Sequence, residues 1–321
     1  VRSDATPELF ELAARLDAPV ATTFTGKGGF PERHPLALGS SWEDAAHQQV
    51  FADADVVLSV GSWLGYDVTD SFRLRLQGTL IQIDAAPERV GVNFRAVGLV
   101  GDAKSTLQAL LDRLAWSGPR GGAARVAAVR ERIELGLAAQ PNRLALGLLE
   151  IVEEALPDGA AAAWDSTIVA YTACSYLRVA EPRRFLYPAG SSTLGYAWPA
   201  ALGAAAGLPE TPVLAVVGDG GLQYGIAELA TAKQHGLDVA LLLIDDGGYG
   251  ILREYQDGRG FPHTGVDLEH PDFVTLCEAY GIPARRSSAD HLGRDLQWAL
   301  EHSGPAVVLL EEVLRMREPT E

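Results

Sequence analysis

Runs of aliphatic residues recur along the chain, separated by stretches in which apolar positions fall three or four apart. This alternation predicts strands interleaved with helices. In the N-terminal part the pattern predicts strands over 18–24 (APVATTF), 54–61 (ADVVLSVG) and 78–84 (GTLIQID), with helices near 6–16, 43–52 and 103–115. Residues 117–122 (SGPRGG) break the periodicity and read as a linker. Two helical stretches follow, AARVAAVRERIELGLAA and RLALGLLEIVEEAL, and then a second alternating block. Its predicted strands are 160–164 (AAAAW), 183–188 (RRFLYP), 212–218 (PVLAVVG), 238–245 (DVALLLID) and 305–312 (PAVVLLEE). The expected class is α/β, with mostly parallel sheets covered by helices. The expected division is a first domain over 1–117, a linker and helix over 118–140, and a second domain over 141–321.

Composition narrows the partners. The chain has 321 residues, 47% of them hydrophobic, enough to fill two cores of ordinary size. Its 26 basic and 42 acidic residues give a formal net charge of −16, which repels nucleic acid and anionic membranes alike. Neither is an expected partner. No apolar run approaches the ~20 residues of a membrane helix, and the N-terminus, Val1-Arg2-Ser3-Asp4, lacks a signal peptide's apolar core. Cys174 and Cys277 lie far apart without metal-ligand spacing, so a reducing cytoplasm is the expected compartment.

The chemistry concentrates in two turns. The predicted strand LAVVG runs into Gly218-Asp219-Gly220-Gly221, and LLLID runs into Asp246-Gly247-Gly248-Tyr249-Gly250. Each turn precedes a plausible helix, LQYGIAELATAKQHG and GYGILREYQ. In a doubly wound sheet ligands bind beyond the carboxyl ends of the strands. If these two strands are neighbours, Asp219 and Asp246 face one crevice with two helix N-termini. Glycine-rich turns at helix starts offer N–H groups to an anion, whereas carboxylates alone repel it. A divalent cation reconciles the two, since Mg²⁺ bridges hard protein oxygens to phosphate oxygens. Either turn alone reads more readily as a plain turn with an N-capping Asp, and it is the pair together that points to a site. Nucleotide fingerprints do not compete, because Gln223 stands where G-x-G-x-x-G needs its third glycine.

GDGG followed by DDGGYG resembles the cofactor motif of the thiamine diphosphate enzymes typified by acetolactate synthase, benzoylformate decarboxylase and pyruvate decarboxylase, which begins GDG and usually closes with Asn-Asn. GSSTLGYAWPAALGAAAG (190–207) is similar to the segment that precedes the motif in those enzymes, and WDST (164–167) to their first cofactor-contacting turn. In residues 1–115, TGKGGFPERHPLALG and IQIDAAPERVGVNF resemble the family's Rossmann-like central domain. The resemblance implies thiamine diphosphate and Mg²⁺ as cofactors. Asp219, Asp246 and the carbonyl of Gly248 are the implied metal ligands. Gly218, Gly220, Gly221, Tyr249 and Gly250 are implied to approach the diphosphate, and Thr167 to offer a hydroxyl. Leu194 matches the apolar wedge beneath the bent cofactor, and the carbonyl of Ser192 matches the acceptor of the pyrimidine amino group. For Cys174 and all 7 histidines, packing or solvent roles are expected. Residues 252–265 (LREYQDGRGFPHTG) read as a loop, either a cover over the site or plain surface.

The implied activity is acetolactate synthase-like decarboxylation and carboligation of a 2-oxo acid. The alternative is simple decarboxylation of the benzoylformate decarboxylase type, which WDST favours, and a third reading is a non-catalytic cofactor-binding module. The region that corresponds to the Arg-Phe-Asp-Asp-Arg type segment of flavin-binding synthases reads GSWLGYDVTDSF, which argues against FAD. Nothing in the chain resembles the family's N-terminal pyrimidine-binding domain, which supplies the catalytic glutamate. That domain is expected in the same gene or on a partner chain, in a homo-oligomer when intact, and this polypeptide alone is expected to be inactive. The first strand of the central domain also looks missing, which is the pattern expected of a cleaved chain.

Where the family usually has Asn, this chain has Asp246. A second carboxylate strengthens the hold on a divalent cation and repels a diphosphate when the cation is absent. Thiamine diphosphate binding is therefore predicted to depend strictly on a metal. Fluorescence titration with the cofactor should give no saturable binding in excess chelator; an unchanged affinity there contradicts the prediction.

Overall fold

The computed structural model describes residues 1–115 and 118–321. The chain folds as two compact units. Unit 1 holds Val1–Pro141 with the short segments Arg178–Pro182 and Glu318–Glu321, and unit 2 holds Asn142–Leu177 and Arg183–Arg317. The helix expected in the connecting region falls within unit 1, and so do two segments of the expected second domain. Of the expected linker, Ser117 lies outside the described residues.

Unit 1 carries five short strands in two parallel sheets. β1 (Val20–Ala21) pairs with β2 (Ala37–Gly39), and β3 (Val56–Val60), β4 (Thr79–Asp84) and β5 (Val97–Val100) form the other sheet in that order. Its helices are α1 (Thr6–Leu16), α2 (Ala45–Ala52), α3 (Ala103–Leu111) and α4 (Gly122–Ala138). Leu12 of α1 and Leu107 and Leu111 of α3 bury themselves with Ile83 of β4. A buried ion pair, Lys27 with Glu32 at 3.0 Å, sits in the loop between β1 and β2. Glu32 also accepts from Thr22 Oγ1 at 2.6 Å and from the Val179 N–H at 2.9 Å, while Lys27 donates to Ser40 Oγ at 2.7 Å. With its partners satisfied in this way, the charge pair is tolerable inside the unit. The strand expected over 18–24 stops at Ala21 because Phe24–Gly26 turns as a 3-10 helix and the Thr22 carbonyl is taken by the Trp42 indole at 2.8 Å.

Unit 2 is built on six parallel strands: β6 (Ala161–Trp164), β7 (Phe185–Leu186), β8 (Val213–Gly218), β9 (Ala240–Asp245), β10 (Ala284–Ser287) and β11 (Ala306–Glu311). Their spatial order is β10-β11-β9-β8-β6-β7. The helices are α5 (Leu144–Ala155), α6 (Ile168–Tyr176), α7 (Ala197–Gly207), α8 (Asp219–Tyr224), α9 (Glu228–His235), α10 (Gly250–Gly258), α11 (Phe273–Ala279) and α12 (Leu292–Glu301). The middle strands are aliphatic on both faces and nearly every residue of β8, β9 and β11 is buried, as suits a parallel sheet covered on both sides.

Some expectations fail for local reasons. The helix expected over LQYGIAELATAKQHG is two helices, because Gly225 leaves helical geometry and its N–H caps α8 at the Leu222 carbonyl. The strand expected over 183–188 shrinks to two residues, with Arg183 at φ 64 before it and Pro188 after it. β10 escapes the hydrophobic pattern because it is an edge strand with exposed arginines, paired on one side with β11. Residues 252–258 are helical rather than a loop. Among the described residues no helix is long and apolar enough to cross a membrane.

Leu243 on β9 is fully buried in the unit 2 core. Leu243→Ala should cost about 2–5 kcal/mol by the cavity it leaves. Urea unfolding checks this, and a change below about 1 kcal/mol would show that the site relaxes.

Candidate functional site

The carboxyl ends of β8 and β9 are side by side, with Gly218 paired to Ile244. Asp219 and Asp245 therefore leave the sheet next to one another. From β6 the chain passes to β7 on one side and then returns to β8 on the other, so the strand order reverses at β6 and β8. In doubly wound sheets such a reversal is where ligands bind, beyond the carboxyl ends of the strands. WDST follows β6 and GDGG follows β8, which puts both sequence motifs at this point.

Asp219 is 1% exposed, and its Oδ2 has no hydrogen-bond partner among the described residues. Burial, with repulsion from Asp246 and Asp245, pushes its carboxyl up to about 6 against the Gly220 N–H and His270, which favour the charged form. The shift from 3.8 corresponds to about 3 kcal/mol of penalty on the carboxylate. Gly220 leaves no room for a side chain, since a Cβ there would lie 2.6 Å from Tyr249 Cε1. The two turns thus touch, and the Tyr224 and Tyr249 hydroxyls meet at 3.2 Å.

Asp246 is held by a rigid loop. The N–H of Tyr249 donates to the Val266 carbonyl at 2.8 Å, that of Leu268 donates to the Gly247 carbonyl at 3.1 Å, and Gly248 bridges to Asp267. Gly248, at φ 149, has the Val266 carbonyl 2.1 Å from where a Cβ would stand, so only glycine fits. The Arg253 guanidinium donates to the Asp246 carbonyl at 2.8 Å and to Asp267 at 2.8 Å, and it also reaches the Gly247 carbonyl. Like Asp219, Asp246 has a buried oxygen, Oδ1, without a hydrogen-bond partner among the described residues. Burial raises its carboxyl above the ordinary range, offset in part by Arg253 at 3.8 Å and by the Gly248 N–H, with Asp245 adding repulsion.

Two residues that sequence reasoning did not place here complete the cluster. Asp245 accepts the Gly247 N–H at 3.1 Å, and its Oδ1 lies 3.0 Å from His270 Nε2. His270 Nε2 is also 3.8 Å from Asp219 Oδ2, and its ring stacks on Phe273 at 4.9 Å. Besides the packing contact with Phe273, of the kind expected for it, His270 therefore meets two carboxylates at the strand exits. Its Nδ1 faces the Pro271 carbonyl at 3.1 Å, so that nitrogen must carry the proton. Burial disfavours the imidazolium, but Pro271, Asp245 and Asp219 outweigh it and hold the ring above its usual pKa. No local motif announces His270, which lies 24 residues beyond Asp246.

Asp165 is the other residue the sequence reading quoted without assigning. It is fully buried at the end of β6 and accepts from the N–H of Ser166 and of Gly195, both at 2.9 Å. Tyr196 and Ala197 N–H groups also favour its charge, although burial leaves its pKa raised overall. Asp165 thereby ties the turn 190–196, which carries Ser192 and Leu194, to the strand end. Gly195 lies against Tyr224 and the Gly221 carbonyl, and Gly221 against Asp165 Oδ2, so this turn abuts the GDGG turn. Ser192 stands at φ 46, with its N–H on the Pro188 carbonyl at 3.0 Å. Thr167 sits beside Gly218, and its Oγ1 accepts from the Ala170 N–H at 3.1 Å as the N-cap of α6.

The residues fit a cation. Two buried carboxylate oxygens from adjacent strand ends, each without a hydrogen-bond partner among the described residues and with a basic side chain no nearer than 3.8 Å, have the donor chemistry a hard cation takes. The neighbouring glycine turns suit close approach by a diphosphate. Such a site can bind a metal-bridged diphosphate and neutralise its charge.

The fold is that of an α/β protein with acidic, glycine-rich turns at adjacent strand exits, and comparison with known proteins places it. The family model described as the thiamine pyrophosphate enzyme C-terminal TPP binding domain matches residues 165–310, and that of the thiamine pyrophosphate enzyme central domain matches residues 1–110. The chain belongs to the thiamine pyrophosphate enzymes. It is 37% identical to the probable 2-ketoarginine decarboxylase AruI of Pseudomonas aeruginosa, over 94% of the chain and 55% of that protein. It is 31% identical to a probable acetolactate synthase large subunit of Methanocaldococcus jannaschii, over 94% of the chain and 54% of that protein. An acetolactate synthase of Mycobacterium bovis is 33% identical over 89% of the chain and 49% of its own length. The chain spans about half the length of these relatives.

Two outcomes follow from this geometry. A cation competes with the proton on Asp219, so its apparent affinity should fall as pH drops through about 6, by up to about tenfold per unit. Calorimetric titration with MgCl₂ at several pH values measures this, and an affinity flat between pH 7 and pH 5 would contradict it. At Gly250 a Cβ would stand 1.9 Å from Asp246 Oδ2. Gly250→Ala should displace that carboxylate and weaken cation binding at least about tenfold while costing about 1–3 kcal/mol of stability. An affinity within about twofold of wild type would show the loop to be softer than described.

Proposed function

We propose that this chain forms the cofactor-binding part of a thiamine diphosphate-dependent enzyme that decarboxylates a 2-oxo acid. The observation that carries the reading is the pair of buried carboxylate oxygens, on Asp219 and Asp246, that have no hydrogen-bond partner among the described residues and stand at adjacent strand ends beside glycine turns. In this reading Asp219, Asp246 and the Gly248 carbonyl would hold Mg²⁺, which would neutralise the charge of the diphosphate. Gly218, Gly220, Gly221, Tyr249 and Gly250 line the diphosphate, and Thr167 contacts it through its hydroxyl. Leu194 props the cofactor from below, and the Ser192 carbonyl accepts from its pyrimidine amino group. Asp165 keeps that turn in place through its hydrogen bond from Gly195 at 2.9 Å. When bound, the cofactor supplies an electron sink for cleavage of the bond to the carboxylate.

The proton-moving glutamate belongs to a pyrimidine-binding domain, in the same gene or on a partner chain, and the intact enzyme is a homo-oligomer in the cytoplasm. Similarity to a probable 2-ketoarginine decarboxylase over 94% of the chain supports release of an aldehyde product. Similarity to a probable acetolactate synthase large subunit supports the second reading, carboligation of the decarboxylated fragment to another carbonyl. The full-length enzyme, assayed with thiamine diphosphate, Mg²⁺ and a panel of 2-oxo acids including a guanidino-substituted one, should release CO₂, and product analysis separates aldehyde from carboligated ketol. Asp219→Asn should lower CO₂ release at least about 100-fold, by loss of the charge that holds the cation. A full-length wild-type enzyme that binds the cofactor without consuming any 2-oxo acid would favour the non-catalytic binding module instead.

A further inference from the structure

Asp245 and His270, which the proposed function leaves without a role, group with Asp219 at the strand exits. Asp219, Asp245 and His270 each offer one ligand atom, and these atoms all lie within 4.8 Å of one another. Asp245 Oδ1 and Asp219 Oδ2 are 3.0 and 3.8 Å from His270 Nε2. Donors surrounding one ion at about 2.0–2.3 Å stand roughly 3–4.5 Å apart, and both separations from His270 Nε2 fall in that range.

Three further observations bear on the imidazole. Asp219, 1% exposed, directs a carboxylate oxygen without a hydrogen-bond partner among the described residues toward Nε2. His270 Nδ1 donates to the Pro271 carbonyl at 3.1 Å, the outer hydrogen bond that fixes the tautomer of metal-ligating histidines and leaves the Nε2 lone pair for the metal. Phe273 stacks on the ring at 4.9 Å and holds its plane. Each of these features serves a ligand better than a surface histidine.

We propose that His270 supplies Nε2 as a nitrogen ligand to the cation held by Asp219, with Asp245 beside it, so that the site prefers Mn²⁺ or Co²⁺ to Mg²⁺. The inference rests on the cation site of the proposed function and adds a donor to it, Asp219 being common to both ligand sets. Mg²⁺ selects oxygen and keeps its waters, whereas imidazole nitrogen strengthens binding of the later first-row ions.

The test uses the chain stripped of metal, without thiamine diphosphate, and Mn²⁺ alone as the probe. Pulsed electron paramagnetic resonance of the wild-type complex should show nitrogen modulation from a directly bound imidazole, a signature an outer structural role would not give. Calorimetry should find Co²⁺ bound at least about tenfold more tightly than Mg²⁺. His270→Gln should abolish the modulation and weaken Co²⁺ at least about tenfold while moving Mg²⁺ less than about threefold. Mn²⁺ bound without nitrogen modulation in the wild type, or Co²⁺ affinity unchanged in the variant, overturns the His270 assignment and leaves the oxygen site standing. Absence of any cation binding overturns both that site and this proposal.

Discussion

Three carboxylates at the ends of two adjacent parallel strands, Asp219 on one and Asp245 and Asp246 on the other, concentrate negative charge where burial already disfavours it. Like charges held together out of water shift their protonation or capture a counter-ion. Here burial and repulsion drive Asp219 to about 6 and raise Asp246, and the His270 ring and the Arg253 guanidinium lie against the cluster. A divalent ion would resolve the same conflict more completely, and in the proposed function it would turn the repulsion into an attachment point for a diphosphate. The backbone around the cluster is organised to keep this charge in place. Gly248 and Gly250 admit the loop and the Asp246 carboxylate at distances no other residue tolerates, and Arg253 ties the loop carbonyls together.

The sheet makes this concentration possible. Because β8 and β9 pair in register, their exits bring the GDGG and DDGGYG turns together, although 23 residues separate GDGG from DDGGYG. Because the strand order reverses at β6, the WDST turn joins them from the other side. Asp165 extends the arrangement to the 190–196 turn by accepting its backbone N–H groups. Every motif residue named for cofactor contact therefore lies on a strand exit or on a turn braced by one.

Much of this was legible in the sequence, and for physical reasons. The central strands of unit 2 are uninterrupted aliphatic runs, and glycine turns after them mark where the chain must leave the sheet tightly, so Asp219 and Asp246 could be placed before their geometry was known. What the sequence did not reveal depends on contacts distant along the chain. β10, with Arg285 and Arg286, lacks an apolar pattern because one of its edges is open. Gly225 splits a helix that periodicity alone would have continued. His270 lies in a polar stretch whose meaning comes from the fold bringing it to the strand exits, and Asp245, read as the last residue of a strand, acts through the side chain it presents there. Asp165 was quoted within a motif, but its role as an anchor follows from the turn folded against it.

The most direct measurement is a crystal of the chain grown with thiamine diphosphate and Mn²⁺, with anomalous diffraction recorded at the manganese edge. The account predicts one strong peak within coordination distance of the Asp219 and Asp246 carboxylates, continuous with density for a diphosphate over the glycine turns. A diphosphate bound there with no cation between it and Asp219, or a cation bound elsewhere in unit 2, would contradict it.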